Sequence, residues 1–294
     1  MTKKLSLVRV IVVVAVLVSF GVAWSWWQYV YSAPSRAFWG AFDRAMMTQS
    51  FGTLVETEAP GQMGREASVT NSSDKRLTNG RNVGLRDSGG VYFRMETETI
   101  GTLDKDYMRY TDVTSSQESV NGGTLDYSEV EGQWADAGSA ASYGQQYANA
   151  VLGIIPFGVL SHDDRWDVIS RMRDSNALTY ELKDTQTDRW GRKTYTFETT
   201  IHLKAYLDSL KEFINKQGMS KRYPIDTSGY SENQTAVVDL TIDSWSRQLR
   251  SMAYPGEGQP LNMYAGYGSR QKLLEAPKDA IDFRELQTRL SKVR

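Results

Sequence analysis

Hydrophobic and polar positions change period several times along this chain. The stretch 10–27 carries no charged residue and follows Lys3, Lys4 and Arg9; at 1.5 Å rise per residue it covers roughly 27 Å, close to one hydrocarbon core. Trp24, Trp26, Trp27, Tyr29 and Tyr31 crowd its far end, where amphipathic rings favour the headgroup layer, while the basic residues lie at the near end. The pattern predicts a single-pass signal anchor over 10–31, a cytoplasmic stub over 1–9 and an extracytoplasmic remainder. A cleaved leader is the alternative reading. Against it, the best small-residue site ends at Ala33 with Tyr31 in the minus-three position and Pro34 immediately after.

Beyond the anchor, Phe38, Ala41, Phe42, Ala45 and Met46 recur at helical spacing, predicting an amphipathic juxtamembrane helix within 32–50. The period then becomes two. Residues 53–56, 67–70, 91–96 and 108–111 read as strands, and the Gly- and Asn-rich stretch 71–90 reads as turns. Residues 113–144 are rich in Ser, Gly, Asp and Glu and read as a long exposed excursion; 147–160 is apolar but interrupted by Pro156 and Gly158, so it reads as a buried helix, a turn and a connector. Ser161 is placed to cap a helix to about residue 173, with Trp166, Ile169 and Met172 on its apolar side. Alternating strands at 178–182 and 195–201 form a hairpin around 184–192. The clearest helix follows over 202–217, with Leu203, Tyr206, Leu207, Leu210, Phe213 and Ile214 in register and Gly218 to end it. A second hairpin spans 238–254, a last strand 263–267, and a polar helix 282–292. This order implies an α+β fold, an antiparallel β-sheet covered on one face by helices.

Composition narrows the function classes. There is no cysteine, so disulfides, acyl anchoring and thiolate metal sites are excluded and the domain is held by its core alone; a bacterial envelope suits that better than a eukaryotic secretory route. Lys and Arg number 34 against 35 Asp and Glu, which supplies no overall field for nucleic acid. Catalytic patterns are missing: no Gly-x-Ser-x-Gly, His-Glu-x-x-His or phosphate-loop motif occurs, and His162 and His202 both fall at predicted helix starts. The run 184–191 alternates oxygen ligands like the opening of a calcium loop, but its glycine is two places late and Tyr195 stands where a bidentate Glu belongs. A hairpin turn accounts for the same residues. Neither catalytic residue, metal nor cofactor is expected.

Met and aromatic side chains on one face of the strands, namely Phe93, Met95, Met108, Tyr110, Tyr180 and Phe197, together with Leu240 and with Leu207 of the covering helix, are bulky and adaptable enough to line an apolar cavity. Ordinary core packing is the competing account of the same residues.

The run 194–203 leading into a helix, Val238-Asp239-Leu240-Thr241-Ile242-Asp243 followed by Arg247-Gln248-Leu249, and Tyr267-Gly268 followed by Ala276-Pro277 resemble the envelope lipoprotein-carrier fold of the LolA chaperones and the mycobacterial LppX and LprG lipid-binding proteins. The resemblance implies that 51–294 forms an open, strongly curved antiparallel sheet, a half-barrel, with helices plugging its concave side and an acyl chain or lipid between them. It departs from the mycobacterial pattern in carrying a transmembrane anchor where they carry an acylated cysteine. Two functions follow as expectations: a membrane-tethered, non-enzymatic module that binds a lipid, or the same fold with a filled core acting on an envelope protein partner, as related sheets do in periplasmic regulators of sigma factors.

Overall fold

The computed structural model describes residues 2–59, 61–119, 122–138, 145–256, 258–269 and 273–293. It opens with a long helix, α1 (Thr2–Trp26), which widens into one π-helical turn over Trp27–Tyr31. Within it, Val12–Tyr31 is long and apolar enough to cross a membrane, and Val12–Trp26 is exposed throughout. Ala33 caps α2 (Pro34–Ala45), with Pro34 at the first helical position, where a missing N–H costs nothing.

Five long strands follow in a meander: β1 (Ser50–Ala59), β2 (Gln62–Asn71), β3 (Leu77–Ser88), β4 (Val91–Gly101) and β5 (Asp106–Ser115). After the short β6 (Ala135–Asp136) come α3 (Gln146–Val151), α4 (His162–Asp174), the hairpin β7 (Leu178–Thr187) and β8 (Lys193–His202), α5 (Leu203–Lys216), β9 (Thr235–Asp243), β10 (Leu249–Ala253), β11 (Leu261–Ala265), β12 (Ile281–Asp282) and α6 (Phe283–Lys292). All twelve strands form one open, curved sheet in the order β12-β6-β5-β4-β3-β2-β1-β11-β10-β9-β8-β7, antiparallel except where β12 joins β6. The fold class is therefore α+β, as the element order implied.

The stretch expected as turns is in part strand β3. Its glycines and asparagines have poor strand propensity, but it pairs along its length with both β2 and β4, so neighbouring ladders decide its conformation. Only Ser72 to Arg76, with Arg76 at φ 46°, and Gly89-Gly90, at φ 64° and 86°, turn the chain. The 113–144 excursion, part of which lies outside the described residues, begins with the last three residues of β5 and otherwise contains only β6 and isolated bridges in its described part.

The larger hydrophobic core joins α2, α4 and α5 to β7–β10. Phe38 of α2 stacks on Tyr180 at 3.8 Å between ring centroids and meets Phe197 edge-on at 5.3 Å. Ser161 caps α4 by accepting from the Asp164 N–H, and Lys216 near the end of α5 reaches Asp164 at 2.7 Å and Asp167 at 3.1 Å. The Asp164 hydrogen bond is the main cause of a raised Lys216 pKa and, reciprocally, the bond from Lys216 holds Asp164 below the ordinary carboxylate range. Trp166, expected on the buried side of α4, is 57% exposed; Val168, Ile169 and Met172 are buried instead. A smaller core lies at the other end of the sheet, where Leu286 of α6 covers Met108, Tyr110, Val113 and Ala135. The concave face of β1–β4 lies between these two cores.

Candidate functional site

Strand alternation sends Thr53 and Val55 of β1, Glu66 and Ser68 of β2, Thr78, Gly80 and Asn82 of β3 and Thr99 of β4 to the same side of the sheet. They form the floor of a cavity of about 670 Å³. Its roof is mainly apolar: Ala150 from α3, Leu152, Ile154 and Phe157 from the connector, and Leu207 and Leu210 from α5, with Gln146 and Asn149 of α3 as its polar members and Met252, Asn262 and Tyr264 closing one side. The volume falls inside the ~300–1,000 Å³ range of small-molecule sites.

Each wall has an identifiable support. Phe157 is wedged against Phe51 at 3.9 Å and Tyr264 at 5.6 Å, fixing the connector over the start of β1. The Tyr206 hydroxyl donates to the Gly153 carbonyl at 2.6 Å and ties the same connector to α5; burial raises its pKa, so it stays a neutral donor. Gly80 lets the Thr99 hydroxyl lie across it, since a Cβ there would stand 2.5 Å from that hydroxyl.

Chemically the cavity is two-sided. Glu66 is the one carboxylate on its wall among the described residues, and no Lys, Arg or His accompanies it. Water reaches this side chain from the cavity, yet the enclosing protein pushes its pKa above the usual Glu value. A mainly apolar roof opposite a floor of hydroxyls, amides and one acid suits an amphiphile whose polar end offers hydrogen-bond donors. Nothing in the set resembles a nucleophile with its base, and among the described residues no group of three or more His, Asp or Glu could hold a metal. In the 184–191 run the Asp188 carboxylate instead accepts from the backbone N–H groups of Trp190 and Arg192, closing the hairpin turn.

Among solved structures the chain is similar to LprF from Mycobacterium bovis, at 13% identity and a TM-score of 0.39, over 83% of this chain and 97% of that one. It is a weak likeness of the kind the strand patterns suggested. A second, to MPT-1, a GDP-Man-dependent mannosyltransferase from Leishmania mexicana, has 8% identity and a TM-score of 0.14 over 82% of this chain and 92% of that one. At such values neither decides a function. No family model and no curated protein matches the chain.

Of the eight residues that sequence patterning offers as cavity lining, Leu207 borders this cavity. Phe93 and Met95 lie farther along the concave face, in a shallower groove of about 370 Å³ with Met63 and Leu85 near the free ends of β1–β4. Met108 and Tyr110 are buried under α6, where Gln287 donates to the Tyr110 hydroxyl at 2.9 Å. Tyr180 stacks on Phe38, and Phe197 and Leu240 are fully buried in the larger core. Those five fill space against neighbouring side chains and border neither opening.

One acid near the roof links the cavity to pH. Asp106, at the start of β5, accepts from the backbone N–H of Gln146 at 3.3 Å in the first turn of α3. Burial raises its pKa to about 6, against the lowering effect of that hydrogen bond and of Arg222. A folded value above the unfolded one means that the folded chain holds the extra proton between them. Stability is therefore expected to fall as pH rises from about 4 through about 6. Asp106→Asn should flatten that slope and stabilise the chain by about 1–2 kcal/mol at neutral pH, the partial solvation of the site discounting the full shift. Urea titrations across this pH range would show it; an unchanged slope in the variant would reject the assignment.

Proposed function

We propose that this chain is a membrane-tethered, extracytoplasmic, non-enzymatic protein that binds a lipid between its curved sheet and covering helices. The observation that carries the reading is the cavity of about 670 Å³ with its mainly apolar roof and polar floor. Acyl chain laid against Leu152, Ile154, Leu207 and Leu210 gains about 0.8 kcal/mol per buried CH₂, and the Glu66 floor receives hydroxyl or amine donors of the headgroup.

The tether reading is supported by the unburied apolar span Val12–Tyr31, the basic residues before it and the aromatic residues at its far end. In this arrangement residues 1–9 are cytoplasmic, 10–31 span a cell membrane, α2 follows at the surface and 51–294 lie outside. The protein would then hold its ligand at a fixed place on one membrane rather than shuttle freely.

Native mass spectrometry of a soluble fragment starting at Ser32 tests the binding reading. That start retains α2 and the Ser32 carbonyl, which accepts from the Tyr195 hydroxyl at 2.7 Å. The expected result is a lipid bound in stoichiometric amount. A fragment that is folded, carries no lipid and takes up none from vesicles would exclude it and leave the protein-partner role.

A further inference from the structure

The foot of the apolar helix is not a loose tether, because it packs against the turns of the sheet. Trp27 meets Trp245 edge-on at 6.1 Å, the Arg247 guanidinium lies 4.1 Å over the Tyr31 ring, and the Ser32 carbonyl accepts from Tyr195. Going from Ser32 back to Trp27, the helix therefore runs alongside β8 from Tyr195 toward the β9–β10 turn. The β7–β8 turn lies at this same end: the Ser244 N–H donates to the Lys193 carbonyl at 3.0 Å, and Arg192 pairs with the buried Asp243 at 2.5 Å.

Two residues beyond Arg192, at the hairpin tip, Trp190 is 68% exposed with Arg189 stacked 5.1 Å over its ring. Arg189, Arg192, Lys193, Arg247 and Arg250 gather here with only Asp188 and Asp243 among them. Asp188 is occupied by turn N–H groups, and Asp243 by Arg192 and Arg250. Arg189 and Lys193 make no ion pair among the described residues. A near-neutral chain thus has one basic, Trp-tipped end, located where its apolar helix emerges.

We infer that the β7–β8 hairpin tip is a second membrane contact, with Trp190 seated in the headgroup layer and Arg189 and Lys193 on anionic lipid headgroups. Indole rings favour that layer, and basic residues near an anionic leaflet each add attraction that falls off within a Debye length. The two contacts, helix and hairpin, fix the domain with β8 and β9 upright on the bilayer. The inference rests on the tether reading and is independent of whether the cavity holds a lipid.

The absence of cysteine allows single labels. The full chain is reconstituted in phosphatidylcholine vesicles with and without phosphatidylglycerol, carrying a fluorophore at Thr187→Cys beside the tip, at Tyr29→Cys in the helix foot, or at Asn233→Cys at the far end of β8 and β9. The distance from Lys193 to His202 along β8 is roughly 30 Å. With a nitroxide on the lipid headgroup, strong quenching is expected at 29 and 187 and background quenching at 233. Phosphatidylglycerol should increase the signal at 187, and Arg189→Glu, Lys193→Glu and Trp190→Ala should each reduce it, the charge reversals by about fivefold in the contact equilibrium. Quenching at 29 with only background at 187 overturns the hairpin contact alone, as does a signal at 187 indifferent to all three substitutions. Background at both 29 and 187 overturns the tether reading and the hairpin contact with it.

Discussion

Phe38→Ala is expected to lower stability by about 3–5 kcal/mol, the cost of removing a large side chain from a site that cannot collapse around the void. Phe38 is fully buried and sits where α2 crosses the sheet. It stacks on Tyr180, meets Phe197 edge-on and is 5.5 Å from Phe42. Truncation strips Tyr180 of its stacking partner and leaves α2 held mainly by Ala41, Phe42 and its Asp43–Arg165 ion pair of 2.7 Å. The urea midpoint should drop with the slope unchanged, since the surface exposed on unfolding stays the same. Trp166→Ala, at an exposed position of α4, should change stability by no more than about 0.5 kcal/mol. A loss at Phe38 no larger than at Trp166 would show that α2 is not part of the cooperative core.

The contrast between those two aromatics shows what periodicity resolves. Phe38 belongs to a stripe with Ala41, Phe42 and Ala45, all four buried, and the stripe is visible in the sequence. Trp166 lies three residues before Ile169 and six before Met172 and looks equally apolar, but the buried stripe of α4 is centred on Val168, Ile169 and Met172, which turns Trp166 outward. Helix α5 was legible throughout, down to Gly218 at φ 67° and the Met219 N–H returning to the Ile214 carbonyl at 2.9 Å. Strand β3 was not. Its tendency to turn is overruled by two long ladders, and ladders depend on residues far away in sequence.

The cavity was hidden for a related reason. Hydrophobic alternation reports side chains that fill space against one another, which is what Tyr180, Phe197, Leu240, Met108 and Tyr110 do. A floor made of Thr53, Glu66, Ser68, Thr78 and Asn82 reads in sequence as a solvated strand face, and only tertiary structure shows helices arching over it. The usable signal was in the apolar connector after α3, whose Leu152, Ile154 and Phe157 could be assigned to the interior but not to an opposing polar wall. Leu207 borders the cavity because α5 displays a wider apolar face than its contacts with the core consume: Tyr206, Leu210, Phe213 and Ile214 are buried in the core, whereas Leu207 is half-buried at its margin.

That surplus makes Leu207→Trp the substitution that tests the site with the least damage to the fold. An indole added at the cavity margin occupies space otherwise open to a ligand, while the core residues of α5 keep their contacts. Excluding three methylenes of a bound chain costs about 2.4 kcal/mol, equivalent to about 60-fold in affinity. Lipid retained by the soluble fragment should fall accordingly, with the urea midpoint unchanged or slightly raised by the added burial. Ala150→Phe, which fills from α3 across the same roof, should act in the same direction, and the two should combine less than additively because they displace the same chain segment. Leu182→Ala supplies the comparison, since Leu182 is 46% exposed on β7 and borders neither opening. If Leu207→Trp and Ala150→Phe retained as much lipid as Leu182→Ala, any bound lipid would have to lie elsewhere, with the groove lined by Met63, Leu85, Phe93 and Met95 as the next location to fill.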